Sequence, residues 1–418
     1  MSKKEGTRVA IVGGARTPFV KAGTVFKKYS ALDLGVHAVN GLLEKSKLDP
    51  DAVEEMFYGI VVLDPAIPHM AREINFGSRL PVKVRSVTVT DNCITGATAI
   101  AAVYEAIMQG RIEIGIAGGV ESMSNPAVLF NKKASRAFLD ANTEKTLGGR
   151  LKQMIKLRPW DFKPWNYGLA EPSTGLSMGE HCELMVKEWK VTQAEQDEIA
   201  CQSHKSASAA TEDGRLKAEI HPLDGVEQDL LIRADTGLEK LAKLRPVFDR
   251  SPSGTITAGN SSPLTDGAAA ALLMSGERAK KEGLEPLAFV KDFEFVGIDP
   301  KDGLLMGPGL AVPRLLKRTG LKLGDIDIIE MHEAFGGQLM CNLKAWEQGW
   351  KEEAIGEVDR AKLNPLGSSI AVGHPFAATG IRIATTLANE MKRREAKYGL
   401  ISICGAGATA VAMLLERD

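Results

Sequence analysis

Two cysteines of this chain are set for chemistry. Cys93 and Cys404 each follow an apolar run and precede small residues, and a Gly373-His374-Pro375 turn stands ahead of the second. A nucleophilic thiol needs a base to take its proton and donors for the oxyanion that its attack creates. Cys93 lies where the run at 86–89 turns into the small-residue stretch Ile94-Thr95-Gly96-Ala97. A helix start there favours a thiolate through its dipole and free N–H groups. His374 sits among glycines and serines with Pro375 at a first helical position, which suits a base or an oxyanion donor better than core filling. Cys404 enters Gly405-Ala406-Gly407, where backbone amides can approach a ligand closely. That turn lacks the G-x-G-x-x-G spacing and the Lys-Ser/Thr of nucleotide loops, so a phosphate cradle is the weaker reading. His332, followed by Glu333, serves equally well as a donor or as a strand-end histidine bonded to backbone. His37, His69, His181, His204 and His221, with Cys182, Cys201 and Cys341, belong to no such motif and read as packing or surface residues.

These groups need a scaffold, and the periodicity describes one. Short β-rich apolar runs at 9–13, 55–61, 86–89 and 112–118 alternate with helical patterns at 31–43 and 95–109, which predicts an α/β layered fold. At 418 residues the chain can bury a large core in two or more units. With 52 basic and 53 acidic residues it has no global charge for nucleic acid. The five scattered cysteines include no C-x-x-C pair, which speaks against a disulfide framework or a zinc site and predicts reduced thiols. No leader-like or membrane-length apolar stretch is visible, so the expectation is a cytoplasmic protein without a permanent cofactor or metal.

The second half repeats the first. Residues 47–57 resemble 322–332, a polar turn followed by a strand, and the helix opened by 93–100 has its counterpart at 374–381, each followed by a strand. Two similar halves facing each other would bring Cys93 and His374 together at equivalent helix starts. The expected division is 1–121 plus 251–285 for one half, 286–418 for the other, and an inserted helical lobe at 122–250. Within the insert, Thr192-Gln193-Ala194-Glu195 is a capping box. Lys132, Lys133, Arg136, Lys145, Arg150, Lys152, Lys156, Arg158 and Lys163 face only Asp140, Glu144 and Asp161 there. Leu147, Leu151, Met154 and Ile155 recur at helical spacing, with Trp160, Phe162 and Trp165 beyond. Such a segment either packs on its own lobe or docks a partner subunit, an anionic membrane or the phosphates of a substrate.

Taken together the motifs resemble the thiolases. The matches are Gly14-Ala15-Arg16-Thr17-Pro18-Phe19, Asp91-Asn92-Cys93-Ile94-Thr95-Gly96, the stretches at 117–124 and 257–268, His332-Glu333-Ala334-Phe335, Gly373-His374-Pro375 and Cys404-Gly405-Ala406-Gly407, in family order. The resemblance implies a duplicated five-layer α-β-α-β-α fold and cleavage of 3-oxoacyl-CoA by coenzyme A, the co-substrate. It gives Cys93 the acyl group, His374 the role of base, Cys404 that of acid and base, and the Cys93 and Ala406 amides the first oxyanion. His374 and His332 would meet the enolate oxygen with Glu333 in support, and Ser262 would lie against the pantetheine arm. His332 replaces an asparagine of many thiolases. That change, Phe376 and the basic insert resemble the lipid-transfer-protein-linked thiolases and the β subunit of the fatty-acid β-oxidation (trifunctional) complex. The implication is medium or long acyl chains, a hydratase/dehydrogenase α subunit as partner, and a homodimer or dimer of dimers with membrane contact through 131–165. The other readings are a short-chain acetoacetyl-CoA thiolase, a decarboxylating condensing enzyme, and a non-catalytic acyl-CoA-binding protein. Cys404 argues against the condensing enzyme, which needs no second thiol.

Overall fold

Alternation along one alanine-rich strand explains the layering. In Thr265–Ser275 the residues Ala269, Ala271 and Leu273 enter one core, whereas Ala268, Ala270, Leu272 and Met274 enter another. Successive side chains of a strand point to opposite faces, so a strand buried on both must be apolar throughout. The computed structural model, which describes residues 6–163 and 170–418, extends this pattern to a sheet of ten strands. They are β1 (Val9–Arg16), β2 (Val20–Lys21), β3 (Glu55–Gly59), β4 (Arg85–Val89), β5 (Ile114–Glu121), β6 (Thr265–Ser275), β7 (Ala288–Gly297), β8 (Ile328–Met331), β9 (Tyr398–Gly405) and β10 (Thr409–Glu416).

Their order is β4-β3-β5-β6-β1-β7-β10-β9-β8, with β2 paired to β6. In the first half β3 runs parallel to β5, and β5-β6 and β6-β1 are antiparallel. In the second, β8 runs parallel to β9, and β9-β10 and β10-β7 are antiparallel. The repeat read in the sequence is therefore a repeat of topology, and the halves join where Val9–Ile11 of β1 pairs with β7.

Between the half-sheets lie the helices Thr95–Met108 and Phe376–Arg394, sharing one core with Val9, Ile11, Ile401, Ile403 and Val411. The helix Ala31–Ser46 covers the outer face of the first half-sheet. Pro308–Thr319 and Gly336–Gln348 cover that of the second, which gives five layers. The two central helices touch at matching glycines. A Cβ on Gly96 would stand 2.8 Å from the carbonyl O of Ala377, and one on Gly380 would stand 2.6 Å from the backbone N of Ala97. Only a missing side chain permits that approach.

Among the described residues, the regular elements between β5 and β6 are helices. Met178–Glu188 and Gln193–Glu212 both start with capping boxes, from Ser177 and Thr192. Arg16 at the end of β1 ties this region down, donating to both carboxylate oxygens of Asp229 at 2.6 and 2.8 Å from a fully buried position. The helices Lys132–Thr143 and Leu147–Met154 behave differently. Of the apolar stripe, Leu147, Leu151 and Ile155 are exposed, Leu147 to 83 %, and Met154 is half-buried, so most of the stripe is not covered by its own lobe. Trp160 is exposed beside it, and Trp165 lies outside the described residues. Among the described residues no helix is long and apolar enough to cross a membrane.

Candidate active site

A cavity of about 700 Å³ opens at the meeting point of the two halves and is lined by Cys93, His374 and Cys404 together. The first half delivers Cys93 from a 3₁₀ turn, Asn92–Ile94, at the start of the Thr95–Met108 helix. Asn92 takes a left-handed φ of 48° there, a conformation that asparagine tolerates, and its side-chain amide donates to the carbonyl of Ala406 at 2.9 Å. This bond clips the Cys93 turn to the β9-β10 turn and aims the N–H of Ala406 at the Cys93 sulfur. The turn itself is held from the far side, where Gly407 N–H donates to Glu171 at 2.8 Å.

The second half delivers His374 from the start of the Phe376–Arg394 helix. Its Nε2 lies 3.2 Å from Cys93 Sγ. Its Nδ1 meets Thr379 Oγ1 at 2.7 Å, and the hydroxyl of Thr379 donates onward to the carbonyl of Pro375 at 3.2 Å. Thr379 must therefore accept from Nδ1–H, which leaves the Nε2 lone pair facing the thiol. The backbone N–H of His374 is anchored by Thr265 Oγ1 at 3.0 Å.

Charges are scarce in this pocket. Burial pushes the Cys93 thiol up to about 12, with the amide of Ala406 pulling the other way. Burial likewise lowers His374 to about 3 and raises Cys404 well above the ordinary thiol range. Desolvation therefore favours a neutral thiol beside a neutral imidazole.

His332 follows β8 and is fully buried with its ring 4.1 Å from that of His374. Ser369 Oγ lies 2.8 Å from its Nδ1, whereas its buried Nε2 has no hydrogen-bond partner. Arg382 donates to Ser369 at 3.3 Å, orienting that hydroxyl's proton toward Nδ1 and leaving Nε2–H as a free donor. Glu333 turns elsewhere. Its carboxylate accepts from Ser203 and Asn364, both at 2.7 Å, and from the N–H of Ile370 at 3.3 Å, and it lines a neighbouring cavity of about 500 Å³. Ser262, held by its N–H on the carbonyl of Ala334 at 2.9 Å, lines the main cavity with Met178, Phe248, Phe335 and Phe376.

Comparison with known families closes the question of kinship. The family model described as Thiolase, N-terminal domain matches residues 9–277, and that described as Thiolase, C-terminal domain matches 284–417. The chain belongs to the thiolase family. As a thiolase it is 43% identical over 424 residues to a 3-ketoacyl-CoA thiolase of Shewanella denitrificans, covering 98% of this chain and 97% of the relative. It is 42% identical to a 3-ketoacyl-CoA thiolase of Klebsiella pneumoniae, covering 99% and 98%. The crystal structure of the Bacillus anthracis acetyl-CoA acetyltransferase superposes with a TM-score of 0.84 at 30% identity, over 98% of each chain. This thiolase is accordingly an acyltransferase.

Several positioning residues were not singled out from the sequence of this thiolase. Thr379, Ser369, Thr265 and Asn92 orient the two histidines and the Ala406 turn. One signal was present, since Thr379-Gly380 repeats Thr95-Gly96. Glu121 was also passed over. Buried and raised to about 7 by desolvation, it accepts from the N–H groups of Val61, Val62 and Ala377, tying a cavity wall to the His374 helix. The remaining histidines have structural partners. His37 packs on His221, His69 meets Thr88, His181 meets Thr174, and His204 accepts from Arg233 N–H.

Proposed function

We propose that this thiolase is a 3-oxoacyl-CoA thiolase that cleaves its substrate with coenzyme A in two half-reactions. One observation carries the reading: two thiols and an imidazole oriented on one of them line one apolar cavity, and a buried second imidazole with an unpartnered Nε2 packs against the first at 4.1 Å. His374 Nε2 takes the Cys93 proton as the sulfur attacks the 3-keto carbon. The N–H groups of Cys93 and Ala406 stabilise the oxyanion. When the C2–C3 bond breaks, its electron pair passes to C2, and the enolate oxygen is met by Nε2–H of His332 and by protonated His374. Cys404 gives its proton to C2, releasing acetyl-CoA. The Cys404 thiolate then takes the proton of incoming coenzyme A, whose sulfur displaces the shortened acyl group from Cys93. Coenzyme A is co-substrate, and Ser262 lies along its pantetheine arm. Glu333 acts through the backbone that carries His332, because its oxygens are engaged with Ser203, Asn364 and Ile370.

We place the reaction in fatty-acid β-oxidation on medium or long chains, in the cytoplasm, which the five free cysteines suit. The units are 1–121 with 251–285, the insert 122–250, and 286–418. A homodimer core, with a hydratase/dehydrogenase α subunit as partner, belongs to this reading. So does peripheral contact with an anionic membrane, for which the exposed Leu147, Leu151, Ile155 and Trp160 amid lysines and arginines are suited. The deciding experiment compares thiolysis of 3-oxoacyl-CoA substrates from acetoacetyl-CoA to 3-oxohexadecanoyl-CoA, with Cys93→Ala as control. Activity should rise with chain length and vanish in the variant. Activity on acetoacetyl-CoA alone would make this a short-chain thiolase, and activity retained by folded Cys93→Ala would remove the nucleophile.

A further inference from the structure

Cys93, His332 and His374 each offer one ligand atom, and the three atoms lie within 4.8 Å of one another in the described structure. The geometry points to a site for a soft divalent cation, zinc foremost, bound by Cys93 Sγ and the Nε2 atoms of His332 and His374 so that the enzyme is held inactive. Three observations carry it. The first is distance: zinc bonds of about 2.3 Å to sulfur and about 2.0–2.1 Å to nitrogen set tetrahedral S and N ligands about 3.5 Å apart. Cys93 Sγ and His374 Nε2 already stand 3.2 Å apart. The second is an unsatisfied group, since Nε2 of the fully buried His332 lacks any hydrogen-bond partner. The third is orientation. Nδ1–H of His374 already donates to the buried Thr379 hydroxyl, the outer support that fixes ligating imidazoles in zinc sites, and Nδ1 of His332 lies 2.8 Å from the buried Ser369 hydroxyl, which would accept once the ring proton moves from Nε2 to Nδ1.

The donor set selects the ion. One sulfur and two imidazole nitrogens suit zinc and copper, whereas magnesium and calcium need oxygen ligands. The fourth position would face the cavity, open to water or to the thiol of coenzyme A. Binding replaces the Cys93 S–H bond with a sulfur–zinc bond, and the proton leaves to the buffer. In His332 the N–H moves to Nδ1, where it donates to Ser369. No electron is transferred. One proton released per ion makes zinc affinity rise about tenfold per pH unit while the thiol is protonated.

Binding rests on this geometry alone, and only its inhibitory consequence rests on the thiolase reading. The experiment titrates zinc, and cobalt(II) as its spectroscopic stand-in, into the full chain against a chromophoric chelator, while thiolysis is followed in parallel. One ion per chain is expected, with a thiolate-to-cobalt charge-transfer band that Cys93→Ala abolishes. Ser369→Ala should weaken zinc about tenfold and His332→Asn more. Thiolysis should fall with occupancy and return when EDTA is added. A cobalt complex without a thiolate band in the unmodified chain overturns the site, and so does zinc affinity unchanged in folded His332→Asn. The spectrum of the unmodified chain decides even if a variant fails to fold. Zinc bound in this way by a chain that cleaves no 3-oxoacyl-CoA would refute the function and leave the site standing. An active enzyme indifferent to zinc would refute the site alone.

Discussion

Thr95-Gly96, at the first residues of the Thr95–Met108 helix, and Thr379-Gly380, one turn into the Phe376–Arg394 helix, lie where the two central helices cross, yet their threonines serve different ends. In the first half the Thr95 hydroxyl donates to the carbonyl of Asn92 and accepts from the N–H of Asp91, both at 2.7 Å, so it closes the turn that carries Cys93. In the second half the Thr379 hydroxyl donates to the carbonyl of Pro375 and supports an imidazole. The glycines keep one function in both, the close crossing of the helices. Duplication thus supplied a rigid pair of helix starts, and divergence placed a nucleophile on one and its base on the other.

The largest test of this division of labour concerns the thiol outside the pair. Cys404→Ser replaces an acid with a far weaker one, and steady-state turnover should drop roughly 10²–10⁴-fold, the usual contribution of positioned proton transfer. Cys93 should still react with iodoacetamide in that variant, and near-normal turnover would refute the proton-transfer role. The second test addresses the neutral resting pair. With the Cys93 thiol raised to about 12, the thiolate fraction grows about tenfold per pH unit below that value. Alkylation should therefore climb without a plateau between roughly pH 6 and 9. A plateau near neutrality would mean that His374 already holds the proton.

Smaller effects probe the crossing and the threonines. Gly96→Ala and Gly380→Ala each force a methyl against backbone, and denaturant melts should show about 1–3 kcal/mol of destabilisation apiece. Thr379→Val should lower kcat/KM about tenfold through the lost Nδ1 partner, with about 1–3 kcal/mol of stability lost for the buried N–H left unpaired. Thr95→Val should cost about 1–2 kcal/mol in stability with a smaller change in kcat/KM. Equal behaviour of the two variants would mean that the halves have not diverged as their hydrogen bonds indicate.

Much of this was legible in the residues. The 47–57 and 322–332 repeat became β3 and β8, and the stretches after Cys93 and His374 became the central helices. Strand boundaries moved by up to three residues, as where the run at 112–118 became Ile114–Glu121. The hairpin at Lys132–Thr143 and Leu147–Met154 could not be placed from its pattern, because helical spacing marks an apolar stripe without saying what covers it. Glu333 shows the same limit. Its place beside His332 suggested the site, whereas its side chain turns toward Ser203 and Asn364.

Side-chain chemistry is local, so the sequence alone determined that thiols and imidazoles would act here. It also determined that two matching halves would present them, since a repeated pattern of buried faces can form only repeated layers. Tertiary structure decided what depends on neighbours through space. It gave His374 its tautomer through Thr379, left Nε2 of His332 unpartnered, and removed enough water to keep Cys93 a thiol. It also gathered one sulfur and two nitrogens from distant segments into a constellation whose spacing no motif records.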